Sequence, residues 1–386
     1  MIVAQPEVII GERCNLNCNR RHFLAGSLAA GAVSGPLAAQ DAPPVGTGMI
    51  GTGNRGGYLL KAVLGQPAAK VVAVCDTKPD RLDKAASAAA RDKPATFSDY
   101  HRLLERMDVQ AVFIATPCDL HVEMAIAALK AGKHVYCEKP LGVTPESIRE
   151  LLKVARQSHT VFQAGQQRRY EQRLQKTVAR IHEGIAGKVL MVKAWRHNDN
   201  DLAHDGSSAD WFFNAKRSGD LIVENAVHNL DICNWVIGAR PDKAAGFGKT
   251  MLWVNDPPGR TNMDGYTLSY EYANGVDLSF TQVSFHPDKL PLPYSQTFVY
   301  GSEGSVHLET ATFYPMKRGA SPEVIVPPMK EDPDAAIAVF FDNVRTGKTP
   351  FTDVKVGALA AMTSILGREA IYRKKMLTWQ ELGVEL

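Results

Sequence analysis

One glycine loop and two polar clusters in this chain have the residue types and spacing to do chemistry. The loop Gly51-Thr52-Gly53-Asn54-Arg55-Gly56 follows an apolar stretch from Val45 to Ile50, and Asp76 closes the next β-branched run, Lys70 to Cys75. In such a loop the first glycine permits a tight turn, the second lets the backbone approach a pyrophosphate, and the third lets the following helix pack against its strand. Amides at that helix start hold phosphate oxygens. Gly51, Gly53, Asn54, Arg55 and Gly56 are therefore expected to bind a dinucleotide, and the Asp76 carboxylate to accept hydrogen bonds from both hydroxyls of a ribose. Asp76 would repel a 2′-phosphate, which favours NAD, while Lys78 and Arg81 just beyond it leave NADP open.

The first polar cluster is Cys137-Glu138-Lys139-Pro140, directly after the apolar run Lys133 to Tyr136. Such a place is the carboxyl end of a sheet strand, where open α/β sheets bind their ligands. A lysine there can hydrogen-bond a substrate oxygen and relay its proton. Position alone also allows a surface lysine paired with Glu138. In the second cluster Glu224 and His228 stand four residues apart, with Asp231 three further on, a spacing that puts all three on one face of a helix. An imidazole near neutrality can take a carbinol proton while a carboxylate fixes its tautomer. The bland alternative is an i, i+4 ion pair beside a buried histidine.

Weaker signals come from Arg196-His197-Asn198-Asp199-Asn200-Asp201, with His204 and Asp205, a run dense in groups that could sort sugar hydroxyls, or else a solvated turn. Its acids do not follow the alternation and glycine of an EF-hand, so no metal is assigned. Arg168, Arg169 and Tyr170 fall where two domains should meet, and Tyr170 either faces substrate or packs between them.

The elements that must position these groups alternate. Short apolar runs at 45–50, 70–76, 110–115, 133–137 and 160–164 are separated by helical patterns at 55–65, 79–90, 98–106, 121–131 and 145–157. The order suits a doubly wound parallel Rossmann sheet. After Arg180, period-two segments at 188–195, 244–254, 264–272, 275–285, 295–301 and 304–309 predict hairpins of a large, mostly antiparallel open sheet, with helices at 219–237, 333–346 and 354–373. The fold class is α/β, with an N-terminal Rossmann domain at 40–166 and a C-terminal α+β domain at 167–386. The chain of 386 residues is 45% hydrophobic with a formal net charge of +3 and no long basic run, so nucleic acid is not an expected partner. Of its six cysteines, those at 75, 118, 137 and 233 read as reduced and structural.

Residues 1–39 read as an address. Asn19-Arg20-Arg21-His22-Phe23-Leu24 precedes a mildly apolar stretch from Ala25 to Ala39, in the pattern of a twin-arginine export signal. The stretch is shorter than the roughly 20 apolar residues of a spanning helix and contains Pro36, so no stable membrane insertion is expected after processing. Export folded, with a cofactor already bound, would place the protein in the periplasm or outside the cell.

Taken together, the glycine loop, Ala115-Thr116-Pro117-Cys118-Asp119-Leu120-His121, the tract Ala131 to Leu141 and Glu224-Asn225-Ala226-Val227-His228-Asn229-Leu230-Asp231 resemble successive signatures of the Gfo/Idh/MocA oxidoreductases. The resemblance implies that Lys139 is the catalytic lysine and that Thr116, Pro117, His121 and Glu138 line the nicotinamide half of a cofactor cleft. Many members carry Asp where this chain has Glu224, and Gly where it has Ala226. The expected activity is NAD(P)-dependent hydride transfer with a secondary alcohol of a sugar, cyclitol or glycoside. A glycosidase working through a transient keto-sugar, and a cofactor-bound binding protein without catalysis, are the alternatives. Catalysis is expected from Lys139, His228, Glu224 and Asp231, substrate contact from Tyr170, Arg196, His197 and Asn198, and assembly as a dimer or tetramer through the C-terminal sheet.

Overall fold

The computed structural model describes residues 43–199 and 209–386; the expected leader at 1–39 and the loop residues Asn200, Asp201, His204 and Asp205 lie outside them. The first half runs β1 (Val45–Ile50), α1 (Asn54–Leu64), β2 (Ala69–Cys75), α2 (Pro79–Ala88), β3 (Ala95–Phe97), α3 (Tyr100–Leu104), β4 (Ala111–Ile114), α4 (His121–Lys130), β5 (His134–Cys137), α5 (Pro145–Ala155) and β6 (Phe162–Ala164). Its strands form one parallel sheet in the order β3-β2-β1-β4-β5-β6. Every residue of β1 and β4 is buried, as central parallel strands covered on both faces require. The order reverses between β1 and β4, which opens a crevice at their carboxyl ends.

The second half continues with α6 (Gln172–His182), β7 (Val189–His197), α7 (Ala209–Phe212), α8 (Ala215–Ser218), α9 (Leu221–Glu224), α10 (Val227–Ile237), β8 (Pro241–Lys249), β9 (Gly265–Tyr272), β10 (Asp277–Val283), β11 (Ser295–Gly301), β12 (Gly304–His307), β13 (Thr312–Pro315), β14 (Glu323–Val324), α11 (Ala335–Thr346), α12 (Val354–Tyr372) and β15 (Leu377–Thr378). Nine strands pair in the order β14-β13-β12-β11-β7-β10-β9-β8-β15. All pairs are antiparallel except β7 with β10. Alternation sorts the two faces: in β9, Tyr266, Leu268, Tyr270 and Tyr272 are buried while Thr267, Ser269 and Glu271 are exposed. The Tyr272 hydroxyl donates to Asn234 of α10 at 2.6 Å, so helices cover that face.

Several elements depart from the sequence reading. β3 is a three-residue edge strand, too short to show a period, and α6 hides its buried Leu174, Val178 and Ile181 in an otherwise polar helix. The single helix expected at 219–237 is two helices, because Asn225 and Ala226 interrupt it. The boundary at 166 divides the chain but not its packing. Ile337, Phe340 and Phe341 of α11 join the core on one face of the Rossmann sheet, with the Phe340 ring 5.1 Å from Phe113 of β4 and 5.9 Å from Tyr136 of β5. The Ala164 amide of β6 donates to the Thr352 carbonyl at 2.7 Å.

Phe340→Ala is therefore expected to destabilise the Rossmann half itself, by about 3–5 kcal/mol for a fully buried aromatic. Urea unfolding followed by fluorescence together with protection of β4 and β5 amides checks this; loss of protection confined to α11 would contradict it.

Candidate active site

The crevice at the carboxyl ends of β1, β4 and β5 is a cleft of about 500 Å³. Gly51, at the end of β1, has φ +83°, a conformation glycine adopts without strain. A Cβ on Gly56 would overlap the Gly51 carbonyl oxygen, so only glycine lets the first turn of α1 lie against the loop. No side chain caps that turn, and its N-terminal residues Gly53, Asn54 and Arg55 line the cleft. This uncapped glycine cradle fits a dinucleotide pyrophosphate.

Asp76 sits just past β2 on the same wall. Its carboxylate is already tied down: one oxygen accepts from the Thr52 amide at 2.7 Å and the Thr52 hydroxyl at 3.1 Å, the other from the Lys78 amide at 2.9 Å. Asp76 thus holds the glycine loop to β2, and its remaining lone pairs are what a ribose would meet. Lys78 and Arg81 line the cleft beside it.

At the reactive end, the strand-to-loop turn after β5 presents Glu138 and Lys139 in succession. The Glu138 side chain, 3% exposed, accepts from Arg55 Nε at 2.7 Å, and its other oxygen accepts from the Lys139 amide at 3.2 Å. Glu138 therefore clamps α1 to β5. The surface pairing of Lys139 with Glu138 does not occur: Lys139 Nζ reaches instead across to α9, donating to the Glu224 carboxylate at 2.7 Å and the Glu224 carbonyl at 2.8 Å. Burial opposes the charge on this ammonium, but the carboxylate of Glu224 outweighs it and holds the lysine above its ordinary value.

Thr116, Pro117 and His121 also line the cleft. His121 offers no free nitrogen, since Nδ1 lies 2.7 Å from the Pro140 carbonyl and Nε2 2.9 Å from that of Thr116. It fixes the loops that follow β4 and β5.

The second polar cluster is divided by the break after α9. Glu224 lines the cleft, whereas His228 starts the next helix and is absent from the cleft wall. Burial, then the charges of Lys139, Arg168 and Arg196, push the His228 imidazole well below its ordinary value, so it is neutral. Its Nδ1 is buried without a hydrogen-bond partner among the described residues. Asp231 lies three residues beyond His228 in α10, on a different helix from Glu224. It is 1% exposed and accepts both Nε and Nη2 of Arg169, at 2.9 and 2.8 Å.

The remaining expected substrate contacts separate too. Tyr170 is buried, its hydroxyl 3.2 Å from that of Thr352 and its ring against Phe351, so packing within the second half, against the segment before α12, accounts for it. Arg196 and His197 are consecutive in β7 and point to opposite faces. Arg196 Nε donates to Asn225 at 3.2 Å on the helix-covered side, beside Glu224, while His197 meets Thr281 and stacks on Trp195 on the open face. Asn198, just past the strand, buries a side-chain oxygen without a partner among the described residues.

Cleft residues that the sequence did not single out are Trp211 and Phe212 of α7 and the ion pair of Arg217 with Asp119 at 3.0 Å, which closes the cleft from the second half. No periodicity marks them; only the tertiary approach of α7 and α8 to the loop after β4 does. Cys75 and Cys118 lie on the cleft wall, and with Cys137 and Cys233 they are free and buried.

Residues 45–166 match a family model described as an oxidoreductase family with an NAD-binding Rossmann fold, GFO_IDH_MocA, and residues 174–307 match the GFO/IDH/MocA C-terminal domain. Among curated relatives, a glycosyl hydrolase family 109 protein of Saccharopolyspora erythraea is 34% identical over 166 residues, 41% of this chain and 36% of that protein. The inositol 2-dehydrogenase of Salmonella typhimurium is 30% identical over 198 residues, 50% of this chain and 53% of the relative. The chain thus spans about a third to a half of the length of these two relatives. A scyllo-inositol 2-dehydrogenase (NAD(+)) of Bacillus subtilis is 26% identical over 79% of this chain and 88% of its own length. The fold is that of a levoglucosan dehydrogenase solved in complex with NADH, with TM-score 0.75 and 20% identity over 87% of this chain and 99% of the other. It is also that of scyllo-inositol dehydrogenase from Lactobacillus casei with bound NAD(H) and scyllo-inositol, with TM-score 0.70 and 19% identity over 88% and 100%. Both halves of the described fold, matched in sequence order by the two domain models of one family, place the chain in the Gfo/Idh/MocA oxidoreductases.

Proposed function

We propose that the protein is an NAD-dependent oxidoreductase acting on a secondary alcohol of a sugar, cyclitol or glycoside. The observation that carries this reading is the charged Lys139 ammonium at the carboxyl end of β5, on the wall of the cleft that begins at the glycine cradle. NAD, when bound, supplies the acceptor for the hydride of the carbinol carbon. The chain's own part is the proton. Two of the three Lys139 N–H bonds go to Glu224, which leaves the third to hold a substrate oxygen. His228, neutral and with Nδ1 unpartnered, is the group just behind the wall with a free lone pair; burial and the cations that keep it neutral lower its basicity, and those cations favour the alkoxide form of a bound alcohol. Glu224 keeps Lys139 charged and aimed; Asp231 orders the helix that carries His228.

Asp76 favours NAD, and Lys78 and Arg81 on the same wall leave room for NADP. A second reading, in which the oxidation is transient and acidifies a neighbouring C–H for elimination of a glycoside, is supported by the similarity to the family 109 protein. The pattern Asn19 to Ala39 marks a twin-arginine leader, and export would favour a cofactor retained between turnovers, because no free NAD pool lies outside the cytoplasm. The open face of the nine-stranded sheet, where Phe247 is 84% and Tyr300 39% exposed, is the surface for assembly into a homo-oligomer.

Denaturing the purified protein is expected to release NAD, identified by mass spectrometry. Lys139→Met should retain the nucleotide and lose turnover of cyclitols, sugars and glycosides by about 10²–10⁴-fold, the range for a proton-relaying side chain; unchanged turnover would remove Lys139 from the reaction, and absence of turnover in the parent would leave the non-catalytic binding protein. Transfer of deuterium from one sugar to another distinguishes redox exchange from glycoside cleavage. Arg20→Lys with Arg21→Lys should leave the protein in the cytoplasm on fractionation, and normal export of this variant would end the leader assignment.

The neutral His228 also makes a stability prediction. Its folded value lies below the ordinary one, so as pH falls below about 6.5 the unfolded chain takes up the proton first and stability declines, by at most about 1.4 kcal/mol per pH unit, until the folded imidazole is protonated too. Urea midpoints at pH 7.5 and 5.5 should therefore differ less in His228→Gln than in the parent; an equal difference would contradict a neutral His228.

A further inference from the structure

Four residues before Glu224, Asp220 is completely buried and holds φ +71° with ψ 162°, a backbone region that a residue with a Cβ rarely enters. Its surroundings determine that geometry. One carboxylate oxygen accepts from the Leu221 amide at 2.8 Å, the Met263 amide at 3.1 Å and the Tyr266 hydroxyl, and the other accepts from the Tyr372 hydroxyl at 2.6 Å. Two backbone amides and two phenols, drawn from α9, the segment before β9, β9 itself and the last residue of α12, converge on one carboxylate.

The Asp220 backbone continues the connection. Its carbonyl accepts from the Val223 amide at 3.0 Å and the Glu224 amide at 2.9 Å, so the residue begins the short helix that ends in Glu224. Beside it, Arg368 Nη1 of α12 donates to the Gly219 carbonyl at 3.1 Å and to the Val143 carbonyl at 2.9 Å. Val143 lies four residues beyond Lys139. One end of α12 therefore grips both loops: the one carrying Lys139, through Arg368, and the one carrying Glu224, through Arg368 and Tyr372.

A four-residue helix between two loops has too few internal hydrogen bonds to set its own direction. We propose that Asp220, held by Tyr266 and Tyr372, is a positioning residue that sets the Glu224 carboxylate on the Lys139 ammonium, and that α12 is the element that places both partners. The strained backbone is the means. A carboxylate with four donors anchors the first turn of α9 at a fixed angle, and the main-chain bond from Glu224 to Asp220 carries that angle to the cleft. This rests on the proposed part of Lys139 and Glu224 in the reaction.

The test reads the lysine directly. Purified protein, as isolated and with matched nucleotide content, is pulsed with acetic anhydride at pH 8, and acetylation of Lys139 relative to the other lysines is followed by peptide mass spectrometry in samples matched for folded fraction by near-ultraviolet circular dichroism. Glu224→Gln removes the counter-charge. Asp220→Asn keeps shape and removes the anchor's charge, and Tyr372→Phe, at a site already 46% exposed, removes one donor with little risk to folding. All three are expected to raise Lys139 acetylation, about tenfold for each pH unit by which the amine's protonation falls. Parent-level acetylation in folded Asp220→Asn overturns the proposal, and if that variant does not fold, parent-level acetylation in Tyr372→Phe does so. Parent-level acetylation in Glu224→Gln overturns it too, because no pairing is then left to position. Absence of bound nucleotide would count against the oxidoreductase reading, while the acetylation result still decides the role of Asp220.

Discussion

A lysine ammonium at the bottom of a cleft needs a counter-charge within contact distance, and here it comes from the other half of the molecule. Lys139 stands at the end of a Rossmann strand and Glu224 at the end of a short helix in the second half, 2.7 Å from it. Leaving such a charge unpaired costs several kcal/mol, so the two halves are held in register at the cleft. The ion pair and the cleft geometry are one constraint.

The other charges around the cleft are distributed with the same economy. Glu138 is taken by Arg55 and Asp231 by Arg169, each in a buried or half-buried contact. These carboxylates are committed to structure, clamping α1 to β5 and α10 to the segment after β6. Burial, and then the cations Lys139, Arg168 and Arg196, hold the His228 imidazole well below its ordinary value, so it stays neutral. A lysine that stays charged and a histidine that stays uncharged, close enough for one to depress the other, are the two titratable groups on which the proposed proton transfer draws.

Packing unites what the chain order separates. Phe340 and Phe341 from near the C-terminus complete a core under β4 and β5, while α12 lies against the second sheet and reaches both loops of the ion pair. Opening the cleft by hinging the two halves must therefore leave α11 and α12 with the Rossmann sheet or break those contacts. Domain limits taken from the order of elements cut through this shared core.

Much was legible in the sequence because it depends on local backbone rules. The alternation of strands and helices, the glycine positions of the first turn and the placement of Lys139 at a strand end follow from periodicity, φ and short-range spacing, and Gly51 and Gly56 do in the structure what their places in the loop imply. Side-chain partners depend on which distant segments meet, and spacing carries no record of that. The i, i+4 and i+7 pattern of Glu224, His228 and Asp231 predicted a common face, yet a two-residue break and the approach of Arg169 gave each a different neighbour. Residue types and local conformation were thus determined by the sequence alone, whereas the pairing of Lys139 with Glu224, the burial of Tyr170 and the anchoring of Asp220 were decided by tertiary packing, because buried charges and hydroxyls take partners by proximity in space.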